Sequence, residues 1–197
     1  MKHCCAARGQ SDTPTARQVS PAADTQCAKC GGKGSGVERK TVLHHVLPAL
    51  LNRVNDEVYR FCPDPGCALV YYGDGGTHFT VKDVRELVTV KASGDERPIC
   101  YCFGFNEGEA RREIARTGTS SIPAQISGLI KARMCACEVR NPSGACCLGL
   151  ATQTVKCLSE EHKASARELR ARRQGRDYTK PRTAIIQDCK FSPLVNY

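Results

Sequence analysis

The chain has 197 residues, 41% of them hydrophobic, with fourteen cysteines, no tryptophan and a formal charge of +9. That length allows one ordinary domain or two very small ones, and a core this thin in aromatic mass calls for disulfides or metals as staples. No run reaches the roughly 18 apolar residues of a membrane span. The start, Met1-Lys2-His3-Cys4-Cys5, enters a polar segment without the apolar stretch of a secretory signal. The expected compartment is therefore the reducing cytoplasm, where cysteines meet metals more often than each other.

Residues 1–24 are rich in Ala, Ser, Thr, Pro and Gln without periodicity, which reads as a disordered arm. Order begins at Cys27-Ala28-Lys29-Cys30-Gly31-Gly32, a metal knuckle whose glycines let backbone amides turn toward sulfur. A helix follows near Thr41–Leu47, with Val42, Val46 and Ala49 on one face and Leu43, Leu47 and Leu50 on another. Val58 to Phe61 alternates like a strand and delivers Cys62; Cys62-Pro63-Asp64-Pro65-Gly66-Cys67 is a tight turn. Ala68–Tyr72 continues as a strand, Gly73–Gly76 turns, and His78–Val81 and Leu87–Val90 supply two further strands.

Cys100-Tyr101-Cys102 precedes a helix with a clear start: Asn106 as N-cap and Glu109 three residues on, a capping box. Ala110, Ile114 and Ala115 give its buried face, and Thr117-Gly118-Thr119 ends it. Ser121 opens a second helix with Pro123 in its first turn and an apolar stripe at Ile122, Ile126, Leu129 and Ile130. The two make a helical hairpin with Cys100 and Cys102 before it and Cys135, Cys137, Cys146 and Cys147 after it, around an Asn141-Pro142-Ser143-Gly144 turn. From about 151 the chain is amphipathic and basic, which reads as a solvated helix and tail, with Cys157 and Cys189 as free thiols. The expected fold is α+β: a disordered arm (1–24), a zinc-ribbon-like β subdomain (25–95), a helical hairpin (96–156) and a basic helix and tail (157–197).

Four thiolates at Cys27, Cys30, Cys62 and Cys67 suit a tetrahedral zinc, with no open position and hence a structural role. His44 and His45 compete for one ligand place, or are ordinary residues of their helix. The second set differs, because separated loops with Cys-x-Cys at one end and more cysteines at the other can converge on one iron–sulfur cluster.

Residues 99–147 resemble bacterioferritin-associated ferredoxin, whose [2Fe–2S] cluster sits at the tips of such a hairpin. A wider likeness spans roughly 25–156. The pieces Cys27–Cys30, Tyr59–Cys67, Leu69–Tyr72, Cys100–Gly104 and Asn141–Cys147, in that order, resemble the N-terminal domain of CopZ-type copper chaperones. That resemblance implies a zinc site at Cys27, Cys30, Cys62 and Cys67, a [2Fe–2S] cluster on Cys100, Cys102, Cys137 and Cys147, and reduction of Cu(II) to Cu(I). Counting from Cys102 as in simple ferredoxins would instead favour Cys135 as third ligand. Full chaperones of the family add a domain with a Met-x-Cys-x-x-Cys loop, and nothing after Lys156 matches it.

The leading expectation is an electron-transfer protein in copper or other soft-metal handling, with one-electron cupric reductase activity. Cys135, Cys146, Cys4 and Cys5 are the thiols that could accept Cu(I), and a separate copper chaperone or metal-transport ATPase could receive it. A second reading is iron–sulfur transfer or storage without copper. A third is a redox-sensing nucleic-acid binder, and charge argues against it. A zinc on four thiolates and an oxidised [2Fe–2S] cluster each carry net −2, so filling both sites lowers +9 to +5. Lys163–Arg182 alone holds eight basic and two acidic residues, an excess suited to a solvated tail.

Overall fold

A computed structural model describes residues 26–174. Cys4, Cys5 and Cys189, and the expectations attached to the arm and to the tail beyond 174, lie outside them. The described chain is α+β, in two parts that share a buried seam.

The first part is a four-stranded antiparallel sheet in sequence order: β1 (Ser35–Val37), β2 (Tyr59–Phe61), β3 (Leu69–Gly73) and β4 (His78–Thr80). Between β1 and β2 run α1 (Arg39–His45) and a 3-10 turn at Pro48–Arg53. Pro48 removes an amide the helix would need, so the expected helix ends at His45. Val42 and Val46 pack with Tyr59, Phe61, Val70, Tyr71 and Phe79 in one core. Strand β3 is buried on both faces. Val70 and Tyr71 lie in that core, while Leu69 and Tyr72 join Cys27, Cys62 and Cys67 in a second, sulfur-lined cluster; a register shift between Leu69 and Tyr71 breaks the strict alternation of a strand there.

The second part opens with a short ladder, β5 (Pro98–Cys100) against β6 (Phe105–Asn106). Helix α2 (Glu107–Thr117) starts on the expected capping box: Asn106 Oδ1 accepts from the Glu109 amide at 2.9 Å, and Glu109 Oε2 accepts from the Asn106 amide at 3.1 Å. It ends at Gly118, whose φ of +80° is a left-handed cap that glycine takes without strain. Helix α3 (Ile122–Lys131) follows, then a four-residue turn of helix, α4 (Cys137–Arg140), and the long α5 (Leu148–Arg173).

Three expectations are corrected. Leu87–Val90 is not a strand. Its backbone groups are taken by side chains: the Thr89 amide donates to the Tyr101 hydroxyl at 2.8 Å, and Arg97 Nε donates to the Thr89 carbonyl at 2.9 Å. Nor is the second part a bare hairpin followed by a solvated helix. The first half of α5 packs on both α2 and α3 and buries Leu150, Ala151, Thr154, Val155 and Leu158, a stripe at helical spacing. The boundary expected between 156 and 157 therefore falls inside one continuous helix. Finally, Cys157 is disulfide-bonded rather than a free thiol.

A buried ion pair fastens α2 to β5: Arg97 Nη1 lies 2.8 Å from Glu107 Oε2, both residues being more than nine-tenths buried. No helix of the described residues is long and apolar enough to cross a membrane.

Candidate metal centres

The Sγ atoms of Cys27, Cys30, Cys62 and Cys67 lie within 4.8 Å of one another. Two of the distances are 3.8 Å (Cys27–Cys67) and 3.7 Å (Cys30–Cys62). A tetrahedron with metal–sulfur bonds of ~2.3 Å has edges of about 3.8 Å, so the spacing fits a four-thiolate ion. Each knuckle is shaped by its own backbone. In the first, the Cys27 amide donates to the Gly32 carbonyl and the Gly31 amide to the Cys27 carbonyl, both at 2.8 Å. Gly31 turns the chain at φ +70°. In the second, the Gly66 amide donates to Asp64 Oδ1 at 2.8 Å and the Cys62 amide to the Val70 carbonyl at 2.9 Å. Lys91 Nζ donates to the carbonyls of Asp64 (2.6 Å) and Cys67 (3.0 Å), bringing a positive charge beneath the thiols. Gly34 lets β1's approach pass: a Cβ there would stand 2.9 Å from the Phe61 carbonyl oxygen.

The electrostatics of the tetrad without an ion are divided. Burial raises Cys27, but hydrogen bonds from the backbones of Cys30 and Lys29 outweigh it and bring that thiol to about 7. Burial pushes Cys62 well up. Sulfurs this close cannot all ionise unless a cation joins them. Neither histidine competes: His44 and His45 are outside the convergent set, and His45 is buried against Tyr71 and Tyr101 instead.

The second constellation is arranged as two pairs. Cys102 and Cys137 have their sulfurs 3.7 Å apart, and Cys100 and Cys147 theirs 3.2 Å apart. All four belong to or border one core, with Ile99, Ala110, Ile114, Ile126 and Ala151 around them. Strand β5 delivers Cys100, the start of α4 delivers Cys137, and Cys147 stands at the N-cap of α5. The Ala136 amide donates to Cys102 Sγ at 3.4 Å, and the Cys147 backbone bonds the Cys137 sulfur. Within the Cys100–Cys147 pair, hydrogen bonding to Cys147 draws the Cys100 thiol down to about 7, while Cys147 is pushed up by the same contact. Burial raises Cys137 to about 12. Four thiol donors in two pairs are what a two-iron cluster with two thiolates on each iron asks for.

Cys135, the rival third ligand, is half-buried and packs on the rim of this core, and no sulfur–sulfur contact is recorded for it among the described residues. Arg133, at φ +58°, turns the chain out of α3 toward Met134 and Cys135. Met134 is exposed, as is Cys146 beside Cys147. An exposed Met134 next to Cys135 is a soft-donor signal that the sequence carried and that cysteine counting passed over.

A family model described as a zinc binding domain, zf_CopZ, matches residues 24–85. The copper chaperone CopZ of Archaeoglobus fulgidus is 30% identical over 122 residues, which cover 62% of this chain and 57% of that protein. The chain thus spans little more than half the length of that curated relative. The X-ray structure of the Archaeoglobus fulgidus CopZ N-terminal domain aligns with a TM-score of 0.53 at 30% identity, covering 62% of this chain and 91% of that one.

Proposed function

The chain belongs to the family of CopZ-type N-terminal zinc domains, and from that premise we propose a metal-handling protein with two resident metal groups and copper as its substrate. Zinc is held by Cys27, Cys30, Cys62 and Cys67, and a [2Fe–2S] cluster by Cys100, Cys102, Cys137 and Cys147. The observation that carries the second assignment is the pairing of those four sulfurs, with the Cys102–Cys137 separation of 3.7 Å equal to one within the tetrad.

Bound there, a [2Fe–2S] cluster supplies one-electron exchange, the change that takes Cu(II) to Cu(I). The chain's own residues do the rest. Backbone amides of Ala136 and Cys147 donate to ligand sulfurs, which favours the thiolate form that metals require. Ile99, Ala110, Ile114 and Ile126 exclude water from one side of the set. Exposed Cys146 beside Cys147, Cys135 packed on the rim of the core and exposed Met134 next to it offer soft sulfur to a monovalent copper ion. Copper reduced there would pass to a separate chaperone or transport ATPase.

The test begins with anaerobically purified protein, which should contain about two iron, two sulfide and one zinc per chain. A colourless preparation holding zinc alone would remove the cluster. Dithionite-reduced protein mixed with one equivalent of Cu(II) should then regain its oxidised visible spectrum and leave Cu(I) for a chelating probe. A spectrum that stays reduced would remove copper reduction and leave iron–sulfur transfer as the better account.

A further inference from the structure

Resting on the two-metal reading, we infer that Thr41, Tyr71 and Tyr101 are positioning residues through which zinc occupancy governs how firmly the two cluster-bearing loops hold iron. The case is geometric. The segment joining Cys137 to Cys147 is shaped by the backbone bonds of α4 and by the Asn141 turn, where Asn141 Nδ2 donates to the Ala145 carbonyl at 2.7 Å. It is also held from the zinc part. Thr41 Oγ1 donates to the Glu138 carbonyl at 2.6 Å, and the Tyr71 hydroxyl donates to the Pro142 carbonyl at 2.9 Å. His45, on the same helix as Thr41, is buried against Tyr71 and Tyr101. Thr41, His45 and Tyr71 are all fully buried, so no water can replace a lost donor without rearrangement.

The other loop is tied in the same way. Between Cys100 and Cys102, the Tyr101 hydroxyl donates to the Leu87 carbonyl at 2.9 Å and accepts from the Thr89 amide at 2.8 Å. Arg140, on the first loop, donates to the Tyr101 carbonyl at 3.2 Å and links the two.

Both ties lead back to the second zinc knuckle. Tyr71 sits on β3 beside Tyr72, which packs on Cys27, Cys62 and Cys67, and the adjoining Val70 carbonyl accepts from the Cys62 amide. The Leu87–Thr89 segment runs on to Lys91, whose ammonium holds the Asp64 and Cys67 carbonyls. A knuckle that loses its ion loosens the two supports at once, and by reciprocity an empty cluster site weakens zinc. No chemistry passes between the metals; what passes is backbone position.

Tyr71→Phe removes only the hydroxyl that reaches Pro142. Tyr59→Phe is its control. Tyr59 is buried in the same sheet but donates within its own part, to the Asn55 carbonyl. Each variant, purified with its metals, is measured for zinc content, visible circular dichroism and the rate at which a chelator removes iron. Tyr71→Phe should keep its zinc, change the dichroism and lose iron about tenfold faster, the size of one buried hydrogen bond. Tyr59→Phe should match the native protein. Thr41→Val should also accelerate iron loss, with Thr41→Ser restoring it, which covers the case that Tyr71→Phe does not fold. Partial zinc removal should speed iron release in the native protein and do so less in Tyr71→Phe. Native rates in both Tyr71→Phe and Thr41→Val, or equal acceleration in Tyr59→Phe, would overturn the inference. Native protein without iron would instead overturn the cluster assignment on which it rests.

Discussion

The two sulfur sets are built from the same residue and differ in how far the chain travels to assemble them. In the zinc part, each pair of ligands comes from one short knuckle, so local hydrogen bonds shape half of the site before any tertiary contact forms. In the second set only Cys100 and Cys102 share a short loop, while Cys137 and Cys147 come from the start of α4 and the N-cap of α5; in both sets the closest sulfurs belong to distant segments. One set converges on a single point; the other is two pairs. The first geometry suits one four-thiolate ion; the second is the arrangement for which a two-iron cluster is proposed. The lesson is that ligand spacing along the chain decides whether a site can form early and alone or must wait for its surroundings.

The largest expected effect tests the autonomy of the zinc part. A Cys27→Ser, Cys62→Ser double variant should lose zinc and, with it, folding free energy on the order of 10 kcal/mol. Thermal unfolding and metal analysis read this out; unchanged stability in the variant would contradict the assignment.

Next comes the register of the paired set. Cys137→Ser removes a sulfur 3.7 Å from Cys102 and should abolish nearly all iron and colour, whereas Cys135→Ser should stay coloured. The reverse result, with Cys135→Ser bleached, would reassign the third ligand.

The seam between the parts gives a pH effect. Burial, reinforced by neighbouring His44, pushes His45 down from 6.5 to about 4. The unfolded chain therefore takes up a proton in that window while the folded chain does not. Stability from this source is complete above pH 6.5 and declines as pH falls toward 4, by about 3 kcal/mol in all. Denaturant midpoints compared at pH 7.5 and pH 5 should differ less in His45→Asn than in the native protein, zinc loss being common to both. An equal pH loss in the variant would exclude His45 as the source.

The smallest effect is local to the cluster part. Asn106→Ala removes the cap of α2 and should cost about 1 kcal/mol, seen as a lower denaturant midpoint with the visible spectrum unchanged. Bleaching by this substitution would mean that α2 bears on the cluster more directly than its position suggests.

How much could be read beforehand follows the same division. The zinc tetrad was legible because knuckle spacing, glycines and the Pro63-Asp64-Pro65 turn are short-range signals, and the α2 capping box because it is written in four residues. Helix α4 went unread: four residues carry no periodicity, and Thr41 holds it from far upstream. Leu87–Val90 looked like a strand because its side chains suit one, but no neighbouring strand comes to it. Tyr101 and Arg97 take its backbone groups instead. The buried stripe of α5 was present at Leu150, Ala151, Thr154, Val155 and Leu158, and the basic residues beyond it drew attention away.

The sequence by itself determined the α+β class, four converging thiols, the start and stop of α2, the start of α3, and a family likeness anchored on Cys100–Gly104 and Asn141–Cys147. Those features depend on neighbours a few residues apart, where backbone geometry leaves little choice. Only the tertiary structure decided that Cys137 rather than Cys135 stands against Cys102, that α5 completes the helical core, and that three buried hydroxyls tie the cluster loops to the zinc part. Each of these is a contact across 35 residues or more or a choice between equivalent thiols, or, for the Tyr101 hydroxyl, a tie to a segment with no periodic signal. Such choices are settled by which groups burial leaves within reach of one another.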